Sequence, residues 1–184
     1  MARPLTLLAM TAAFFLAAPS AAPLHEPTLA SVEIYYGPSV DTNIIDAQTI
    51  ERAVKGVDMA AFVLTNAKII DALTAAADRG VRVRVYLDRD QSARGTQAQD
   101  ARLEALARHK GVALKYKAAR SEAMHFKAYQ IDGRVLRTGS ANFSWSGVRA
   151  QDNDVVIIHQ PRLAVDFAHK FEEMWARSDN EDVR

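Results

Sequence analysis

Apolar positions recur along this chain at two spacings, and the switches between them divide it into short strands and helices. Val32-Glu33-Ile34-Tyr35-Tyr36 has strand composition and stops at Gly37-Pro38. From Asp41 to Val54 the apolar residues Ile44, Ile45, Ala47, Ile50, Ala53 and Val54 fall at helical spacing, with Asp41 or Thr42 as cap and Gly56 just beyond. Val57 to Leu64 is an apolar run of strand length, and Asn66 caps a second helix through Ile69, Ile70, Leu73 and Ala77. Val81 to Leu87 alternates strictly, as a strand with one buried face does. Asp88 to Gln99 is polar and reads as a loop before a helix over 101–109; Val112 to Tyr116 is a short strand. Asp154 to His159 reads as a late strand, and Pro161 opens a final helix through Leu163, Phe167, Phe171 and Trp175. Strand and helix alternating at such short intervals predict an α/β sheet with covering helices.

Between the fourth strand and the late one lies the stretch with chemistry in it, MHFKAYQIDGRVLRTGSANFSW from Met124 to Trp145. His125 and Lys127 are two apart in a strand-like run, so they share a face. Asp132-Gly133 is a favoured two-residue hairpin turn, and Val135 to Thr138 returns as the partner strand. That return carries Ser140 and Asn142 back to the strand end where His125 starts. One hairpin thus gathers an imidazole, an ammonium, a hydroxyl and an amide, a set suited to holding a phosphate diester and attacking its phosphorus.

The 184 residues fit one domain with its own core, and 49% hydrophobic with 24% charged residues describe an ordinary globular protein. A formal net charge of +1 gives no global argument for a polyanionic partner. With no cysteine, disulfides and thiolate metal sites are excluded. Met1-Ala2-Arg3, the apolar run Leu5 to Ala18 and the small residues at 20–22 read as a secretory signal peptide over 1–22, with an uncleaved anchor as the alternative. A tether over 23–30, a domain over 31–177 and a frayed tail over 178–184 complete the expected organisation.

The spacing H-x-K-x4-D-x6-G-S-x-N, filled by His125, Lys127, Asp132, Gly139, Ser140 and Asn142, resembles the signature of the phospholipase D superfamily at every specified position. The short single-motif bacterial secreted endonucleases are its nearest likeness. The resemblance implies a mixed β-sheet flanked by helices on both faces, with one motif per chain. It implies a phosphodiesterase in which one motif histidine forms a phosphohistidine and another protonates the leaving oxygen. His125, Lys127 and Asp132 are then the catalytic set, although a turn position makes a structural role for Asp132 equally open. Lys127, Ser140 and Asn142 would hold the substrate phosphate. Relatives also carry an acidic residue that orients the histidine; Asp152 fills that place, with Asp154 as competitor.

Because the chain holds the motif once, the resemblance implies a homodimer with one composite site. A histidine nucleophile needs no cofactor and no metal, and an imidazole pair of opposite protonation gives a bell-shaped pH profile. The expected substrate is nucleic acid, DNA or RNA, with a phospholipid head group as the rival and a silent phosphate-binding scaffold as the weaker alternative. The signal segment places the protein in the bacterial periplasm or outside the cell, with no stable membrane insertion once it is removed. Elsewhere the residues read blandly. His25 lies in the tether, His109 suits a helix C-terminus and His159 ends a strand. Asp166 and His169 share a helix face without further metal ligands. Phe143 and Trp145 are open between stacking on substrate and packing. Lys115, Lys117, Arg120, Arg134, Arg137 and Arg149 read as solvated charge, with a phosphate-binding rim as the alternative.

Overall fold

A computed structural model describes residues 31–92, 96–118 and 122–183; the expected signal segment and tether, residues 1–30, lie outside these. The elements run in order β1 (Ser31–Tyr36), α1 (Thr42–Glu51), β2 (Gly56–Ala61), α2 (Ala67–Asp78), β3 (Arg82–Asp88), α3 (Arg89–Ser92), α4 (Gln97–Arg108) and β4 (Val112–Lys117). There follow β5 (Lys127–Ile131), β6 (Val135–Thr138), α5 (Trp145–Arg149), β7 (Asp154–His159), α6 (Pro161–Trp175) and β8 (Glu181–Val183). Among the described residues, no helix is long and apolar enough to cross a membrane.

All eight strands form one mixed sheet in the order β1-β7-β6-β5-β2-β3-β4-β8. β2, β3 and β4 are parallel, as helical crossovers require, and every other pair is antiparallel. The centre is buried on both sides: all six residues of β2 are inaccessible or nearly so. Val57, Met59, Val83, Val85, Tyr129 and Ile131 form the larger core with Ile69, Leu73 and Leu106 of α2 and α4. On the opposite face Ala60, Tyr86 and Ala128 pack against Phe167, Phe171 and Met174 of α6. Among the described residues the helical layers are unequal, since α6 is the helix that packs on its face, where it meets β2, β5 and β6.

Two turns fix the site hairpin. Asp132 at φ +57° and Gly133 at φ +65° take the mirror-image turn that matches strand twist, as the Asp-Gly pair predicts. Gly139 leaves β6 at φ +135°, and a Cβ there would sit 2.4 Å from the Asp154 carbonyl oxygen. Only glycine lets β6 and β7 approach this closely.

Three expectations are corrected. The tail is not frayed: Asn180 donates to the Met174 and Trp175 carbonyls at 2.9 and 3.0 Å and accepts from the Tyr86 hydroxyl at 2.7 Å, which launches β8 along the β4 edge. The polar 88–99 stretch is not all loop, because α3 occupies part of it and a Thr96–Gln99 capping box starts α4 early. Finally, α1 ends at Glu51 and turns Thr42, Asn43, Asp46 and Thr49 inward, leaving Ile44 and Val54 exposed. Ile50 and Ala53 are buried as the spacing predicts, but the inward face also takes polar residues because a buried arginine, described below, draws Asp46 to it.

Replacing Gly139 by alanine should destabilise the fold by about 3 kcal/mol or more, combining a strained φ with a backbone clash. Urea unfolding of Gly139→Ala beside the wild type measures this; equal midpoints would show that the β6–β7 approach is not tight.

Candidate active site

The site lies at the sheet end where β2 and β3 finish and β5 begins. The chain enters it under control from both sides: the Met124 N–H donates to the buried Asp88 carboxylate at 2.9 Å, and the Phe62 N–H donates to the Phe126 carbonyl at 2.8 Å. Between these anchors the His125 side chain is exposed, and its ring rests on Phe62 with centroids 4.3 Å apart. Lys127 is buried. Its Nζ lies 3.1 Å from both ring nitrogens of His125, donates to the His125 carbonyl at 3.0 Å, and stands 4.5 Å above the Phe62 ring. No carboxylate of the described residues is within ion-pair distance of it. Burial, reinforced by the nearby Arg137 charge, holds the Lys127 ammonium below the usual lysine pKa. An unpaired buried cation beside an exposed imidazole is a place for an anion.

Beneath the site lies an ion pair that sequence reasoning missed. Arg137 is fully buried rather than solvated; its Nε and Nη2 reach the two Asp46 carboxylate oxygens at 2.9 Å each. The same guanidinium donates to the Lys127 carbonyl at 2.7 Å and the Ala141 carbonyl at 3.1 Å, and lies over the Phe143 ring at 4.4 Å. Tyr129 donates to Asp46 at 3.0 Å. Burial pushes the Asp46 carboxyl up, against the pull of Arg137 and Tyr129. The signal was present in two places: Asp46 is in helical phase with Ile50 and Ala53, and Arg137 is in strand phase with Val135.

The remaining motif residues divide. Ser140 and Asn142 follow β6 back to this end, as the hairpin predicts. The Ser140 hydroxyl donates to the Asp154 carboxylate at 2.5 Å and accepts from the Asp154 N–H at 2.9 Å, so its proton is committed within the protein. Asp154 is therefore the lock on the Gly139-Ser140 loop. Asp152 is exposed and lines, with Tyr36, Gly37, Asn153 and Asp154, a shallow recess of about 320 Å³. No hydrogen bond joins His125 to either aspartate among the described residues. The Asn142 side-chain oxygen is buried and finds no partner among the described residues.

Asp132 stands apart from the other motif residues. It closes the far end of the hairpin, seven residues and roughly 23 Å of extended chain from His125. There its carboxylate accepts the N–H groups of Val54, Lys55 and Gly56 at 3.0, 2.7 and 2.9 Å. Partial burial works against its charge, yet these three donors hold it below the ordinary aspartate pKa.

Of the two motif aromatics, Phe143 is core, whereas Trp145 is 64% exposed. In the basic group Lys115 donates to the Trp175 carbonyl and covers its ring, and Arg134 is solvated; Arg120 lies outside the described residues, as does the Arg149 side chain. His109 pairs with Asp78 and His159 with Glu33, away from the site.

Fold and site together define a phospholipase D-like protein with one motif per chain. Residues 47–175 match the family model described as "Cardiolipin synthase, PLD-like domain", and the chain belongs to this family. It is 32% identical over 123 residues to the mitochondrial cardiolipin hydrolase of Chlamydomonas reinhardtii, covering 67% of this chain and 52% of that protein. The chain spans about half the length of the curated relatives it first matches. Among solved structures, the phospholipase D family member Nuc from Salmonella typhimurium superposes with a TM-score of 0.76 at 26% identity, over 85% of this chain and 99% of Nuc. NucT from Helicobacter pylori shares the fold, with a TM-score of 0.68 at 18% identity over 80% of this chain and 96% of NucT.

Two outcomes follow from this geometry. Asp46→Asn leaves the Arg137 charge uncompensated and should cost about 3–5 kcal/mol in urea unfolding; a loss below 1 kcal/mol would show that the pair is dispensable. Asp132→Asn keeps the left-handed turn but removes the charge, and should cost about 1 kcal/mol at neutral pH. Since the folded pKa is depressed, the aspartate's contribution is present above the unfolded value near pH 4 and lost as pH falls through the folded one. The difference between the two proteins should therefore shrink in acid while turnover per folded molecule stays unchanged. A large drop in kcat would return Asp132 to the chemistry.

Proposed function

We propose that this chain is a phosphodiesterase that cleaves nucleic acid, DNA or RNA, without a metal ion and through a phosphohistidine on His125. The carrying observation is Lys127, a buried ammonium without a carboxylate partner among the described residues, set against the exposed His125 ring. A diester phosphate supplies the counter-charge that this pocket lacks.

In this reading Lys127 and Asn142 hold the nonbridging oxygens while a His125 ring nitrogen attacks phosphorus. Ser140, through Asp154, holds the loop that presents Asn142. As the P–O bond to the leaving group breaks, that oxygen takes a proton from a second imidazole. Water then attacks the phosphohistidine, giving its proton to the same imidazole, and His125 is released. One chain contributes one motif histidine, so the second imidazole is His125 of another copy, across a two-fold axis. Asp152 is the residue proposed to orient a histidine within that assembly. The amino-terminal apolar run supports action in the periplasm or outside the cell.

Support for a nucleic-acid substrate comes from the motif's resemblance to the single-motif bacterial secreted endonucleases, and the phospholipase D family member Nuc, whose length this chain covers almost entirely, shares the single-domain build. The second reading, hydrolysis of a phospholipid such as cardiolipin, is favoured by the named activity of the curated relatives. The two share every step above and differ in what lies beyond the phosphate.

Conversion of supercoiled plasmid by the mature protein in excess EDTA decides between them, with His125→Ala and cardiolipin hydrolysis run in parallel. Nicking that persists in EDTA and falls by about a thousandfold or more in His125→Ala is expected. Cardiolipin cleavage without nicking would move the substrate to lipid. Complete loss of both activities in EDTA, restored by a divalent cation, would overturn the mechanism.

A further inference from the structure

Two aromatic residues follow the Gly139-Ser140 loop, and the fold treats them in opposite ways. Phe143 is buried against Tyr129 and the Arg137 guanidinium, whereas Trp145 keeps 64% of its surface exposed. Nothing in the reaction proposed above uses Trp145, yet its backbone is firmly held. Ser144 caps the short α5 by accepting the Gly147 N–H at 3.1 Å, and the Gly147 carbonyl accepts from the Asn153 side chain at 2.7 Å. Gly147 also presses on Asn142, since a Cβ there would stand 2.8 Å from the Asn142 carbonyl oxygen. A single exposed indole needs no explanation in itself. One set on a constrained backbone beside a phosphate-binding amide is a prepositioned contact.

Trp145 forms one wall of a groove of about 350 Å³, which Thr65, Asn66 and Lys68 at the start of α2 and Gln99 and Arg102 of α4 help to line. Both helices begin where β2 and β3 finish, so the groove lies at the active-site end of the sheet. It also shares a wall with the site. The Thr65 and Asn66 N–H groups donate to the Phe143 carbonyl at 2.9 and 3.0 Å, one residue from Asn142. Thr65 lies three residues beyond Phe62, on which the His125 ring rests, and Trp145 lies three beyond Asn142. Each step spans at most roughly 11 Å of chain.

The charged residues of the groove are both cations. Lys68 faces Asp41 at 3.7 Å and Arg102 faces Asp71 at 3.1 Å, with both cations more than half exposed. Exposed pairs of this kind are weak, so either cation can turn to an arriving phosphate. An aromatic face between two cations is the makeup of a site for a base and its phosphates. A lone indole among polar residues is not the broad apolar face that a lipid surface takes.

We propose that this groove is a base-stacking subsite, in which Trp145 stacks on a nucleobase near the scissile phosphate while Lys68 and Arg102 meet the phosphates that flank it. The inference rests on the nucleic-acid reading above and adds where the strand runs, from Lys127 and Asn142 into the α2–α4 groove. Every base has a π-face, so the subsite holds the strand without choosing its sequence. Phosphate contacts alone position any polyanion. The indole is what makes the protein prefer a chain that carries bases.

Two single-stranded oligomers of equal length test this: oligodeoxythymidylate and a stable abasic counterpart with the same phosphates and no bases. They are offered together to the wild type, Trp145→Ala and Trp145→Phe, so that the ratio of kcat/KM values is read independently of how much enzyme is folded. The wild type is expected to favour the thymidylate by about tenfold or more. Trp145→Ala should bring the ratio close to one, and Trp145→Phe, which keeps a ring, should retain most of it. Arg102→Ala should raise KM on both oligomers and leave the ratio in place. A wild type without preference, or a Trp145→Ala variant that keeps it, overturns the subsite and leaves nucleic-acid cleavage standing. A wild type that cleaves neither oligomer overturns the nucleic-acid reading and the subsite with it. If that wild type hydrolyses cardiolipin and Trp145→Ala no longer sediments with cardiolipin vesicles, the ring belongs to a lipid contact. A Trp145→Ala protein that is monomeric where the wild type is dimeric gives the ring to a contact between copies instead.

Discussion

The buried pair of Arg137 and Asp46 is the contact on which the geometry of the site depends. Arg137 comes from β6, Asp46 from α1, and the arginine's remaining donors reach the carbonyls of Lys127 on β5 and Ala141 on the loop after β6. One guanidinium therefore holds the strand that carries His125 and Lys127 against the loop that carries Ser140 and Asn142. Burying two charges costs several kcal/mol per ion, and mutual attraction offsets that only where geometry is good and the other donors are satisfied. Here the pair is bidentate, Tyr129 adds a donor to Asp46, and Phe143 covers the guanidinium. Such a joint contributes less to net stability than an apolar core would, but it permits one arrangement of the pieces it connects.

That joint also explains which parts of the sequence were legible. The hairpin was readable because its geometry is local: an Asp-Gly turn fixes the register, and period-two alternation then fixes which side chains meet. The alternating strands, Asn66 as a cap and the amphipathic α6 were readable for the same reason. The orientation of α1 was not, because Asp46 and Thr49 point inward only in answer to an arginine 91 residues away. Arg137 looked solvated beside other basic residues, and only its phase with Val135 marked it. β8 escaped notice because Glu181-Asp182-Val183 has no strand signal; it pairs because Asn180 is fixed by Tyr86 and the end of α6. Asp132 shows the converse limit, since spacing identifies a motif member without saying whether it serves the reaction or the turn.

The electrostatics of the site follow from the same placement. Arg137 has a counter-ion in Asp46, whereas Lys127, whose carbonyl accepts from that guanidinium, has none among the described residues. Two buried cations over one carboxylate leave a local positive excess in a chain whose overall formal charge is only +1. Net charge was therefore a poor guide to the ligand, because the relevant charge is one ammonium made potent by burial and by the absence of a partner. Arg137 sharpens this further, since its charge adds to burial in lowering the Lys127 pKa and also attracts an anion.

The edge strand β1 has two unlike sides: Val32, Ile34 and Tyr36 on the α6 side are exposed among the described residues, while Glu33 and Tyr35 turn toward α1. The hazard of such an edge is indiscriminate strand pairing, which charged residues oppose in many sheets. β1 carries that charge on its other side, at Glu33, whose carboxylate is held down in pKa by the Tyr35 hydroxyl and His159. The strand thus sets Glu33 and the Tyr35 ring toward α1 and its aliphatic residues Val32 and Ile34 toward the α6 side, so the charge that guards the edge lies on the face that also carries Val155 and Ile157.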